Sequence, residues 1–179
     1  GILENDFGAI NVDMLMLHEL RGDQCELEMI AGGCDAESHR RRFRTKLISM
    51  RMCGYDRVLV EPSGIYDVDE FFDVLREEPL DQWYEIGNVI AILDARLENN
   101  LSPQADYLLA SEAANAGKVI LSHADAATRK QCEDTVAHLN RALEQLRCDR
   151  RIDPEKDILQ TNLTDLTKED LEEVSKCGY

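Results

Sequence analysis

Two spacings of apolar residues alternate along the chain. Short continuous runs such as Val58-Leu59-Val60, Asn88 to Leu93 (NVIAIL) and Lys118 to Leu121 (KVIL) read as strands of a covered sheet. Between them, apolar residues recur every three or four positions, the mark of amphipathic helices. In chain order, Gly1-Ile2-Leu3 reads as the tail of a strand entering the polar segment Glu4-Asn5-Asp6-Phe7-Gly8. Val12 to Leu20 has helical spacing, Gln24 to Ile30 alternates as a strand, and Ser38 to Met52 reads as a helix burying Phe43, Leu47, Ile48 and Met52. The run at Val58 is expected to be buried on both faces and ends in Glu61-Pro62-Ser63-Gly64, after which Asp67 caps a helix carrying Phe71, Phe72 and Leu75.

The second half repeats this grammar. The strand Asn88 to Leu93 ends in Asp94, Ser102-Pro103 opens a helix that Gly117 closes, and Lys118 to Leu121 runs into Ser122-His123-Ala124-Asp125. A helix from Ala126 to Arg147 spaces Cys132, Val136, Leu139, Leu143 and Leu146 at helical intervals. Ile158-Leu159 is a last short strand, and Thr167 caps a final helix stopped at Gly178. Alternating strands and helices predict an α/β fold: a mostly parallel sheet with helices on both faces, in one domain spanning 1–179.

Composition narrows the partners. The formal net charge is −16, with 36 acidic against 20 basic residues. Binding to nucleic acid or to an anionic membrane is therefore opposed by long-range repulsion. The exception is local, in SHRRRFRTKL, where Arg40, Arg41, Arg42, Arg44 and Lys46 crowd together and read as a solvated helix face answering an acidic surface. No apolar run is long enough for a membrane span and the first residues carry no signal-peptide pattern. Six scattered cysteines without a Cys-x-x-Cys pair read as reduced thiols of a cytoplasmic protein.

In a parallel sheet the functional edge is formed by the carboxyl ends of the strands. Glu61, Asp94, Asp125, Asp6 and Cys34 are expected there. Carboxylates gathered without basic partners repel one another, which points to a shared cation. Helix capping is the bland alternative, and it explains Asp67 and accounts equally well for Asp125.

These residues resemble a family. GILENDFGAINVD looks like the switch segment of the CobW-type GTPases, a metallochaperone-like branch of the P-loop GTPases, with its Asn-Glu-Phe-Gly motif. YDRVLVEPSG is similar to their Walker B segment, Glu-x-x-Gly, and KVILSHAD to the strand ending in the guanine motif. The resemblance implies binding and slow hydrolysis of GTP with Mg²⁺, coupled to delivery of a metal or metal cofactor to a client metalloprotein. It would place Glu61 in the Mg²⁺ shell, Gly64 at the γ-phosphate, Asp6 in the place of the switch Glu, and Asp125 on the guanine edge. Ser122 stands where Asn is usual and His123 where Lys is usual; His123 can still stack on a base.

Two departures matter. No Gly-x-x-x-x-Gly-Lys-Ser/Thr loop occurs in the chain, so its phosphate cradle is expected upstream, the fold is read as incomplete at its N-terminus, and the chain as written should not hydrolyse GTP efficiently. The family's Cys-x-Cys-Cys metal motif is replaced by Cys34-Asp35-Ala36-Glu37, with His39 following. Cys34, Glu37 and His39 form a mixed set for Zn²⁺ or another transition metal. The bland alternative has Cys34 buried, Glu37 as a helix-start acid and His39 exposed. Two rival functions stay open: a non-enzymatic regulatory or interaction module with a degenerate nucleotide site, and a different Mg²⁺-dependent phosphoryl enzyme using Asp6, Glu61 and Asp94.

Overall fold

In the computed structural model the described residues are 1–6, 12–31, 36–62, 68–98, 100–160 and 163–178, the side chains of Asn5, Asp6, Ala31, Ala36 and Leu163 excepted. They form two units, Gly1–Glu85 and Ile86–Tyr179, each built on a parallel three-stranded sheet.

The first unit orders its strands β2-β1-β3, with β1 at Ile2–Asp6, β2 at Leu27–Ala31 and β3 at Leu59–Glu61. The polar stretch Glu4-Asn5-Asp6 is strand rather than loop, because β1 pairs on both sides, from Ile2↔Leu27 to Asp6↔Ala31 and from Ile2↔Leu59 to Glu4↔Glu61. Both neighbours pair with Ile2 to Glu4 and β2 alone with Asn5 and Asp6, and this pairing outweighs the poor strand propensity of the stretch. β3, in contrast, is an edge strand: Leu59 is 57% exposed, so the expectation of burial on both faces fails.

Helix α2 spans Ala36–Cys53, after the short α1 at Val12–Leu17, and buries Phe43, Leu47 and Met50 against Leu3 and Ile30. Met50 takes the inward place expected for Met52, which is exposed: Phe43, Leu47 and Met50 follow the four-then-three stripe, and two more residues turn the side chain away. Helices α3 at Val68–Leu75 and α4 at Leu80–Trp83 complete the cluster through Val74 and Leu80. α1 has the expected helical spacing yet buries no residue.

The second unit orders its strands β4-β5-β6: Ile90–Asp94, Lys118–Ser122 and Ile158–Gln160. Helix α5 (Pro103–Ala114) starts where Ser102 Oγ accepts the Ala105 N–H, as the Ser-Pro pair predicts. Helix α6 (Arg129–Gln145) starts at a capping box between Thr128 and Gln131. Both pack on Ala91, Leu93, Val119 and Leu121, with Leu139 and Leu143 at the centre.

Helix α7 (Lys168–Ser175) is tied to β5 by Lys118, whose buried ammonium donates to the Lys156 carbonyl at 2.7 Å and to Glu173. Gly117 does not close α5, whose C-cap is Asn115. It serves a close backbone approach: a Cβ there would lie 2.3 Å from the Cys177 carbonyl oxygen and 2.4 Å from that of Gly178. Cys25, Cys53, Cys132, Cys148 and Cys177 are free thiols. Among the described residues no helix is long and apolar enough to cross a membrane.

Candidate functional site

The carboxyl ends of β4 and β5 converge on one polar network. Their register aligns Asp94 with Ser122, so both strands deliver their last side chains at the same level. The Ser122 hydroxyl donates to the Leu93 carbonyl at 3.1 Å and its own carbonyl accepts from Ala95 N–H at 2.9 Å. From below, the buried Thr135 hydroxyl of α6 donates to the Ala95 carbonyl at 3.0 Å. The strand ends are therefore locked, and the loops leaving them start from fixed points.

Asp94 is the hub of that network. Its Oδ1 accepts the backbone N–H of Arg96 at 2.8 Å, a turn in which an aspartate bonds to the backbone two residues on. The guanidinium then grips both carboxylate oxygens, Nε to Oδ1 and Nη2 to Oδ2, each at 3.1 Å. The side-chain and backbone bonds from Arg96 hold the Asp94 carboxyl down at about 2, with smaller help from the positive charge of Arg96 and from His123. His123 Nδ1 lies 3.2 Å from Asp94 Oδ2. The acidic edge of this unit thus has basic partners, and the expectation of carboxylates sharing a cation does not hold at Asp94. With both oxygens engaged, Asp94 is poorly placed to be a direct metal ligand.

His123 sits in the left-handed region with φ 54°, a conformation non-glycine residues adopt rarely, though His more often than most. The turn that follows is closed by Ala126 N–H on the His123 carbonyl at 3.1 Å and presents Asp125 to solvent. Among the described residues no hydrogen bond or ion pair engages the Asp125 carboxylate. Its charge is felt by Arg96, whose own ionisation is pushed up chiefly by Asp94 and more weakly by Asp125. Ser122, His123 and Asp125 are therefore brought together, and Arg96 is the residue that sequence reasoning missed. Its signal was present: an Asp-Ala-Arg triplet directly after an apolar strand places a cation two residues from a turn-forming carboxylate.

The remaining candidates lie in the first unit. Glu61 is the exposed last residue of β3, beside Glu4 of β1, which is 3% exposed. Asp6 ends β1 in the backbone, with its side chain outside the described set, and Gly64 and Cys34 lie outside the described residues. Glu37 is exposed in the first turn of α2 and His39, two positions on, is buried. On a helix, residues two apart point to different sides, which the burial difference reflects. The bland reading is thus met for Glu37 and not for His39. Burial and the nearby Arg42 lower the basicity of His39, against a smaller opposing effect of Glu70, which favours the neutral imidazole a metal requires. Among the described residues no three of His, Cys, Asp and Glu gather closely enough to hold a metal ion.

Comparison with known proteins agrees with this architecture. Over 97 residues the chain is 28% identical to the zinc chaperone YeiR of Escherichia coli (strain K12), a match covering 54% of this chain and 29% of that protein. The chain thus spans under a third of the length of this curated relative. No solved structure matches. The sequence model of the CobW/HypB/UreG nucleotide-binding domain matches residues 1–152, and the chain belongs to that family.

Proposed function

We propose that the chain is a GTP-binding domain whose turnover drives delivery of a transition metal, or a metal cofactor, to a client protein. One observation carries the nucleotide half of this reading: Asp125 is exposed, unbonded among the described residues, and set beside the locked Asp94–Arg96–His123 network where the guanine motif is expected. A free carboxylate at that point has two acceptor oxygens for the paired N–H groups of a guanine edge, which adenine lacks. His123, tethered to Asp94, supplies a flat face for the base. In this reading Glu61 contributes to the Mg²⁺ shell, Gly64 contacts the γ-phosphate, and Asp6 couples the switch segment to it. Mg²⁺ supplies neutralisation of phosphate charge when bound.

The zinc chaperone relative supports the metal half. Cys34 is the thiolate of the proposed set, with Glu37 or His39 completing it. Helical geometry favours one of these two rather than both, since they diverge around α2.

The test is a fluorescent GTP analogue titrated in Mg²⁺ against wild type and Asp125→Ala, with ATP as competitor. Asp125→Ala is expected to weaken GTP by about 10- to 100-fold, the worth of a charge-assisted bidentate contact. Equal binding of GTP and ATP, or no loss in the variant, overturns the assignment. The second reading is a non-enzymatic module with a degenerate nucleotide site, favoured by Ser122 and His123 standing where Asn and Lys are usual. That reading expects no nucleotide binding at all. For the metal, Zn²⁺, Co²⁺ and Ni²⁺ titrations of wild type and Cys34→Ser decide, and unchanged affinity removes Cys34.

A further inference from the structure

The basic stretch of α2 divides into two sides. Arg40 pairs with Glu77, and Arg44 lies 3.7 Å from the same carboxylate while donating to the Glu78 carbonyl at 2.6 Å. This side is matched to the turn after α3 and acts as the solvated, acid-answering face that its composition predicts. The opposite side faces β2. There Arg41, Arg42, Thr45 and Lys46 line a cleft of about 320 Å³ together with Met29 and Ile30.

The position of this cleft follows from strand geometry. Met29 and Ile30 are consecutive, so their side chains point to opposite faces of the sheet, and a cleft that touches both lies along the strand's edge. β2 is the end strand of its sheet. The floor is apolar and the wall is cationic. Lys46 is held by Glu28, but Arg41 is exposed and has no ion-pair partner among the described residues.

We propose that this cleft docks a short acidic segment of a partner protein, its carboxylates on Arg41, Arg42 and Lys46 and an apolar side chain against Met29 and Ile30. Charge complementarity selects the occupant. The chain carries a net charge of −16, so a membrane plane or a nucleic-acid rod meets mostly like charge. A short peptide meets chiefly Arg41 and Arg42, beside the Glu28-paired Lys46, within the ~8 Å over which charges act at physiological salt. The cleft is at the small end of ligand sites, large enough for one apolar side chain and its flanking backbone. The inference stands apart from the nucleotide reading, since its residues do not overlap those assigned to GTP or metal.

The test uses the full chain and a fluorescein-labelled synthetic peptide of alternating glutamate and leucine, followed by anisotropy. Binding that weakens with salt is expected, with no binding of the peptide carrying lysine for glutamate. Arg41→Glu is expected to weaken the acidic peptide by about tenfold or more. Thr45→Trp, an exposed substitution that fills the cleft without touching the core, is expected to weaken it comparably, while circular dichroism stays unchanged in both variants. Absence of acidic-peptide binding, or binding indifferent to both substitutions, overturns the proposal. So does co-sedimentation with phosphatidylserine vesicles that Arg41→Glu abolishes while the peptide stays unbound.

Discussion

The two parallel sheets differ most at their central strands. β5, Lys118–Ser122, is buried along nearly its whole length between helices and the C-terminal segment, and its sequence is a continuous apolar run behind one lysine. β1, Ile2–Asp6, is equally central in its own sheet and reads Ile-Leu-Glu-Asn-Asp. A middle position therefore demands paired backbone from both strands but apolar side chains from only one. In β5 the single charge, Lys118, is answered by a carbonyl and a carboxylate. In β1 the buried Glu4 pairs in register with Glu61, the last residue of β3. The second sheet is organised for packing, and the first gives up packing to bring acidic groups to its end.

The largest effects should come from the two cores. Phe43→Ala removes the largest fully buried side chain of the first unit, where it packs on Phe71 with ring centroids 4.3 Å apart. It is expected to cost about 3–5 kcal/mol, against about 2–5 kcal/mol for Leu143→Ala between α5 and α6. Urea unfolding would measure both. A loss under about 1 kcal/mol for Phe43→Ala would show that α2 is not seated on β1 and β2 as described, and the contrast between the sheets would collapse.

Gly117→Ala is the next most severe change. The new methyl group meets two backbone carbonyls, so the C-terminal residues must move and the Val89 N–H loses the Gly178 carbonyl, now at 2.9 Å. A loss of about 1–3 kcal/mol is expected, with faster amide exchange at Val89. Lys118→Ala should cost a similar amount by unpairing β5 from α7, and Lys118→Met less, because it keeps the buried stem. If Lys118→Met is as damaging as Lys118→Ala, the ion pair and not the packing dominates there.

How much of this was legible in the sequence follows the same division. In the second unit, apolar periodicity and the caps at Ser102 and Thr167 locate helices and strands to within a few residues, because there each local signal agrees with the tertiary role. The errors fall where neighbours decide. Glu4 to Asp6 form a strand because β2 pairs with all three, and β3 with Glu4 as well, Leu59 is exposed on the edge strand β3, and Gly117 is required by residues 60 positions away. At the site, Ser122, His123 and Asp125 were readable as a strand-end motif. The grip of Arg96 on Asp94 had only the Asp-Ala-Arg triplet as its signal, since its closure depends on the turn geometry after β4.

That grip gives a prediction with a definite sign. The Asp94 carboxyl is held at about 2 against an ordinary 3.8, so its ionised form is the one the fold favours. The stability it contributes is fully present above about pH 4 and is lost as the pH falls through 4 towards 2. Arg96→Ala should return the carboxyl towards its ordinary range, read from the Asp94 side-chain carbon resonance across a pH titration. The change in global stability should be small, because the pair is largely solvated. The informative readout is local: with the guanidinium gone, Asp94 keeps only the residue-96 backbone N–H and is held less firmly against His123, so the 122–125 turn should exchange its amides faster. An unchanged titration in Arg96→Ala would mean that the network is not formed in solution.

The smallest effect tests the capping of the second unit directly. Thr128 and Thr167 both sit in capping boxes, yet α6 buries Cys132, Val136, Leu139 and Leu143 while α7 has no buried residue. Thr128→Ala removes the hydroxyl that accepts the Gln131 N–H at 3.2 Å, and Thr167→Ala the one that accepts the Asp170 N–H at 3.1 Å. Each should cost about 1 kcal/mol of helix stability. The consequences should differ, because packing holds α6 in place without its cap, whereas α7 depends on its cap and on Lys118. Thr167→Ala should therefore raise amide exchange along α7 several-fold, and Thr128→Ala should leave exchange in the middle of α6 unchanged. Equal fraying of the two helices would show that burial contributes little to α6, and would remove the packed character assigned to this half of the chain.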